Sequence, residues 1–155
     1  MNFCLQTSDF TISNISLLES KQNILMEGLF TKINYLNEFF TMNGLFLYAP
    51  IKIKGIIEDK NLIKFDPYFP ENIEFIKKIS TIEEELLDYY ILNKQCDYRK
   101  QNILSKQFYN GLLKVNIDNS FMIRENKTYV IKISGIWETS EPVSYTHLRA
   151  HETRT

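Results

Sequence analysis

The strongest constraint on this fold is a change of hydrophobic period in mid-chain. Between Glu71 and Lys94, apolar residues recur at helical spacing (Ile73, Ile76, Ile79, Leu86, Tyr90), and Glu83 alone breaks the series, with Ile82 beside it to cover the gap. Pro67 and Pro70 punctuate the start, where Glu71 and Glu74 complement a helix dipole. The spacing predicts one long amphipathic helix at about residues 71–94, packed by its apolar stripe on a core. Elsewhere the period is two. Residues 11–18 are β-branched, and residues 28–35 alternate well enough for a half-buried strand. Asn43-Gly44 lies between residues 39–41 and 45–48 and predicts a two-residue hairpin, because both turn positions must accept positive φ. Residues 51–57 continue as a strand with a bulge expected at Gly55, then a polar turn at 58–61 and a strand at 62–65. Residues 95–106 read as loop or short helix. Strands return at 111–117, 121–124 and 128–137, the last being the clearest. The expected fold is therefore mainly β with one long helix (α+β), an antiparallel sheet or small barrel. A doubly wound parallel sheet would need alternating helices.

A chain of 155 residues supports one core rather than two. Its net charge of −1 excludes a highly basic nucleic-acid binder, though not a local basic face. Cys4 and Cys96 are far apart, form no zinc spacing and read as reduced thiols. No basic region followed by an apolar run opens the chain and no stretch has the length of a membrane span, so the expectation is a protein that is neither secreted nor membrane-bound. The sequons at Asn14 and Asn126 carry little weight in that setting.

Residues 142–155 differ from the rest. They hold both histidines, His147 and His151, and no isoleucine, and VSYTHLRAHET resembles a translated transposon sequencing adapter joined to an interrupted reading frame. The expected organisation is one domain over residues 1–141, truncated at its C-terminus, followed by a disordered artefact at 142–155. Without that segment the net charge is −2 and no histidine is left for a triad, zinc protease or His-based nuclease.

No phosphate-cradling glycine loop, HExxH, EF-hand loop or GxSxG occurs, and the expectation is a non-enzyme with no cofactor and no metal. Glu83, Glu84, Glu85 and Asp88 are the densest acidic cluster, which reads as the solvated face of the helix. The basic residues are more suggestive. If the strand runs through Pro50 without a slip, Phe46, Tyr48, Lys52 and Lys54 share a face, and Lys32, Lys114 and Lys132 are outward neighbours of apolar residues. Lysines on phosphates and rings on bases make a single-stranded nucleic-acid surface, but lysine is also the ordinary filler of a strand's wet side. Trp137 continues by parity the core face of Tyr129, Ile131 and Ile133, unless a bulge at Gly135 reverses it.

Residues 130–139, with Ser134-Gly-Ile-Trp137 as their most specific part, resemble a C-terminal signature of small proteins in large double-stranded DNA viruses of protists and algae. Phe30-Thr-Lys-Ile-Asn-Tyr35, Phe40-Thr-Met-Asn-Gly-Leu-Phe46, Ile82-Glu83 with Leu86-Leu87, Lys106-Gln107 and Asn110-Gly-Leu-Leu-Lys-Val115 agree in order, so the resemblance covers most of residues 11–139. Some of those proteins look related to phage-type single-stranded DNA-binding proteins, which are OB-fold barrels serving DNA replication. The resemblance implies an OB-like barrel with its helix at about 71–94, a further C-terminal strand missing here, and residence in the host cytoplasm or a viral factory. It also implies single-stranded DNA as partner, with viral replication proteins or a second copy as further partners; on that reading the lysines and rings picked out by strand parity, Lys32, Phe46, Tyr48, Lys52, Lys54, Lys114 and Lys132, with Trp137, are the expected site. The alternative is a viral structural or protein-interaction module with no nucleic-acid role.

Overall fold

The computed structural model of the chain describes residues 4–22, 28–95, 99–116, 128–139 and 143–153. The elements in chain order are β1 (Ile15–Gln22), β2 (Gly28–Leu36), β3 (Thr41–Met42), β4 (Leu45–Ala49), β5 (Ile53–Ile57), β6 (Leu62–Phe65), α1 (Pro70–Lys94), β7 (Arg99–Gln101), α2 (Ile103–Tyr109), β8 (Leu112–Asn116), β9 (Thr128–Thr139) and β10 (Val143–Thr153). The strands form a mainly antiparallel sheet in the order β1-β2-β9-β10-β8-β6-β5, with β3 on β2, β4 on β9 and β7 on β10. Among the described strand pairs, β10 with β7 and with β8 run parallel, as does the isolated bridge of Leu5 with Leu47. The strand expected at 121–124, Cys96 and the Asn126 sequon lie outside the described residues.

The long helix forms where its period places it. Pro70 sits in its first turn, where a missing N–H costs nothing, and Gln95 stops it in the left-handed region at φ 54°. Ile76, Ile79 and Leu86 are fully buried. They join one core with Ile33, Leu45, Leu47, Ile131 and Ile133 of β2, β4 and β9, and with Ile63, Phe65 and Leu113 of β6 and β8. Toward the end of α1, Leu87 and Tyr90 pack on Ile136 of β9. Asn72, also fully buried, accepts the Lys52 N–H at 2.8 Å and donates to the Lys52 and Asp66 carbonyls at 3.0 Å, tying the chain on either side of the β5–β6 hairpin to α1.

Three expectations need correction. Glu83 is not on a solvated face: it is fully buried, and its carboxylate accepts the Leu104 N–H at 2.8 Å, the Ser105 N–H at 3.0 Å and the Ser105 hydroxyl at 2.7 Å. The open N–H groups at the start of α2 have no helical partner, and a carboxylate from α1 satisfies them. Second, Asn43-Gly44 is not a hairpin turn. β3 pairs with β2 (Tyr35 opposite Met42) and β4 pairs with β9 (Leu47 opposite Ile131), so the dipeptide is the corner where the chain leaves one strand for another. Gly44 has φ 108° there, and a Cβ would lie 3.0 Å from the Lys132 side chain. The tight turn of this region is at residues 37–40, where the Asn37 carboxamide oxygen accepts the N–H groups of Phe39 (2.8 Å) and Phe40 (3.0 Å). Third, the segment expected to be disordered contains β10, a strand from Val143 to Thr153. β9 offers an open ladder on that side, and Val, Tyr and Thr within the segment suit a pleated strand.

Two other members of the acidic cluster pair with residues of and beside β7. Glu84 and Asp88 hold the Lys100 ammonium between them, with Asp88 at 2.6 Å, and Asn102 donates to Glu84 at 2.9 Å. Hydrogen bonds from Lys100 and Asn102 pull the Glu84 carboxyl below its ordinary 4.5, and those to Asp88 and Glu84 push Lys100 above its ordinary 10.5. Burial pushes the half-exposed Cys4 thiol up, away from nucleophilic reactivity.

Two outcomes follow from these polar contacts. Glu83→Ala strands three buried donors and should cost roughly 3 kcal/mol or more in urea unfolding, with Glu83→Gln costing less. Lys100→Met should cost less than about 1 kcal/mol at pH 7, because the cluster is partly exposed. Lowered in the folded state, the Glu84 pKa adds stability above pH 4.5 that is lost as pH falls further, so wild type and Lys100→Met should converge in acid.

Candidate nucleic-acid interface

The candidate surface is built on β9, the longest strand at 12 residues. Its first half pairs with β4, Phe46 facing Lys132 and Leu45 facing Ile133. Its second half pairs with β2, Lys32 facing Gly135, Thr31 facing Ile136 and Phe30 facing Trp137. On the β10 side, His147 faces Gly135 and Leu148 faces Ile133, so Ser134 is the extra residue of a bulge. One unpaired residue inverts the alternation: Ile131 and Ile133 are buried before it, Ile136 after it. Trp137 therefore leaves the core face that simple parity assigns to it.

Its ring instead meets that of Phe30, with centroids 4.8 Å apart and planes at 39°. Gly135 makes this approach possible, since a Cβ there would stand 2.3 Å from the Thr31 carbonyl and 2.7 Å from the Phe30 ring. One strand further, Lys21 of β1 faces Phe30. Lys21, Phe30 and Trp137 thus form a row across three strands, with Lys21 exposed and both rings half-buried. Beside it are exposed Lys32 and the pair Phe46–Lys132, whose ammonium lies 5.3 Å from the Phe46 ring centroid. The core residues Ile33, Leu45, Leu47, Ile131, Ile133 and Ile136 of these strands point the other way, to the side on which α1 packs, whereas Val130, on the parity of Lys132, is buried at the margin of this face.

Lys32, Phe46, Lys132 and Trp137 are therefore brought to one face. Tyr48 lies at its margin, half-buried opposite the buried Val130. Lys52, Lys54 and Lys114 lie elsewhere, because the strand does not run through Pro50. β4 ends at Ala49, where the Ile51 N–H turns back to the Ala49 carbonyl at 2.9 Å, and β5 begins only at Ile53. With its backbone held by Asn72, Lys52 reaches Glu71 at 3.2 Å and the Phe69 ring at 5.3 Å instead. Lys54 sits at the β5 bulge, one residue before Gly55, and Lys114 faces Leu62 across β8 and β6. Phe30 and Lys21 are additions. Phe30 shares parity with Lys32 in its own strand, which is a usable signal. Lys21 is placed only by the β1–β2 register.

On the opposite side of the same sheet, Tyr90 donates to Glu138 at 2.6 Å, and Lys94 donates to Ser20 at 2.6 Å, which is 2.6 Å from the Thr31 hydroxyl. These contacts fix the end of α1 beneath the row of rings. Among the described residues no group of three His, Cys, Asp or Glu converges as a metal site, and no described helix is long and apolar enough to cross a membrane. No family model, curated protein or solved structure matches the chain.

Gly135→Ala tests the geometry of this face. The added methyl should force β2 and Phe30 away, costing about 2 kcal/mol or more, and should alter the near-UV dichroism and emission of Trp137.

Proposed function

We propose that the chain is a non-catalytic single-stranded DNA-binding protein, built on an OB-like sheet, that acts in the DNA replication of a large double-stranded DNA virus in the host cytoplasm or a viral factory. The observation that carries this reading is the face bearing Lys21, Lys32 and Lys132 around the rings of Phe30, Trp137 and Phe46. Ammonium groups neutralise phosphates and release counterions, while half-exposed rings stack on bases of any identity. The Ser134–Trp137 strand that carries the viral resemblance is also the strand that sets this face. Phe46 stays pre-oriented under Lys132, so little side-chain freedom is lost on binding.

The alternative, a viral structural or protein-interaction module, draws on the dispersal of Lys52, Lys54 and Lys114 away from this face and on the exposed Ile57 and Leu112 of β5 and β8. Titration of labelled oligo-dT across a range of salt separates the two. Binding should weaken steeply with salt. Lys32→Ala with Lys132→Ala should flatten the slope of log K against log salt by about 0.7 for each phosphate contact removed. Lys52→Ala with Lys114→Ala should leave it unchanged. Absence of binding at low salt overturns the DNA reading in favour of the module.

A further inference from the structure

We infer that Phe39 is a second base-stacking platform, and that it marks one end of the single-strand track whose other end is the Phe30–Trp137 pair. The inference rests on the DNA-binding reading and extends its site along β2. Positions on the non-core side of β2 run from Phe30 through the exposed Lys32 and the half-buried Asn34 to the exposed Leu36, and the chain then enters the turn at residues 37–40. That turn is locked on three sides. Asn37 accepts the N–H groups of Phe39 and Phe40, its own N–H reaches the Phe40 carbonyl at 3.1 Å, and the Phe40 ring folds back on Tyr35 at 6.3 Å between centroids. Phe39, between them, is left 87% exposed, more than any other large apolar side chain described.

A flat ring held in water by a rigid turn contributes nothing to the core. It is, however, pre-organised for a ligand with its own flat faces, because little backbone freedom remains to be lost on binding. The six-residue step from Phe30 to Leu36 covers about 20 Å at strand rise. At the duplex rise of about 3.4 Å per nucleotide, a trinucleotide spans roughly half of that track and a twelve-mer overruns it. Lys32 lies within the track, between the two platforms.

The test uses Trp137, the single tryptophan of the chain, as reporter of the first platform. With the full chain, dT3 and dT12 are titrated against tryptophan quenching in wild type, Phe39→Ala, Phe39→Leu and Phe39→Tyr. The expected result is that Phe39→Ala weakens dT12 by about five-fold or more, leaves dT3 unchanged, and is rescued by Tyr but not by Leu. An unchanged dT12 affinity, an equal loss for both lengths, or rescue by Leu overturns the inference while leaving the DNA reading standing. No response to either oligonucleotide, by quenching or by anisotropy of labelled dT12, overturns both.

Discussion

Ser134, the one residue of β9 left out of the ladder, is the constraint on which the candidate surface depends. A strand alternates strictly, so a single skipped residue reassigns every side chain beyond it. Before the bulge, β9 gives Ile131 and Ile133 to the core beside β4. Beyond it, β9 gives Ile136 to the core beside β2 and turns Trp137 outward. Gly135 completes the arrangement by leaving room for the Phe30 ring over the backbone. Without the skip, Trp137 would occupy the core side and Ile136 would face water. The change of partner and the change of face are therefore one event.

Buried polar groups do the cross-bracing that apolar contacts cannot specify. Glu83 anchors α2 to α1, Asn72 anchors both flanks of the β5–β6 hairpin, and Tyr90 with Glu138 anchors the end of α1 to β9. A greasy interface tolerates sliding, whereas each of these groups has its partners at one register only. Such anchoring keeps the spacing of rings and ammonium groups contributed by separate strands. Glu83 shows how this is achieved. A carboxylate in the middle of an apolar stripe is costly unless donors meet it, and the uncapped first turn of α2 supplies them.

What the sequence reveals is the local pattern. The helix from Pro70 to Lys94, the strands β2, β6 and β8, and the bulge beside Gly55 all follow from periodicity and turn residues close by in the chain. What it conceals is pairing. Asn43-Gly44 has the chemistry of a hairpin, yet the strands on either side of it bond to β2 and β9, a choice made by partners distant in sequence. Glu83 looks like part of an acidic surface because its partners, Leu104 and Ser105, lie 21 and 22 residues further along the chain. The candidate face divides along the same line. Lys32, Phe46 and Lys132 are found by parity within single strands, whereas Lys52 and Lys54 are lost because Pro50 interrupts the count. Phe30 and Lys21 become members only through register between strands.

Among the described residues, the two halves of the sheet meet through few backbone pairs. β10 joins β8 through two residue pairs, Ala150 with Val115 and His151 with Asn116, whereas β10 runs beside β9 for most of its length. The core crosses this boundary freely, with Ile33 and Ile131 on one side and Ile63 and Leu113 on the other. The halves thus cohere through their shared interior and α1. The rings on β2 and β9 therefore keep their mutual positions through the β2–β9 ladder alone, independently of how β8 meets β10.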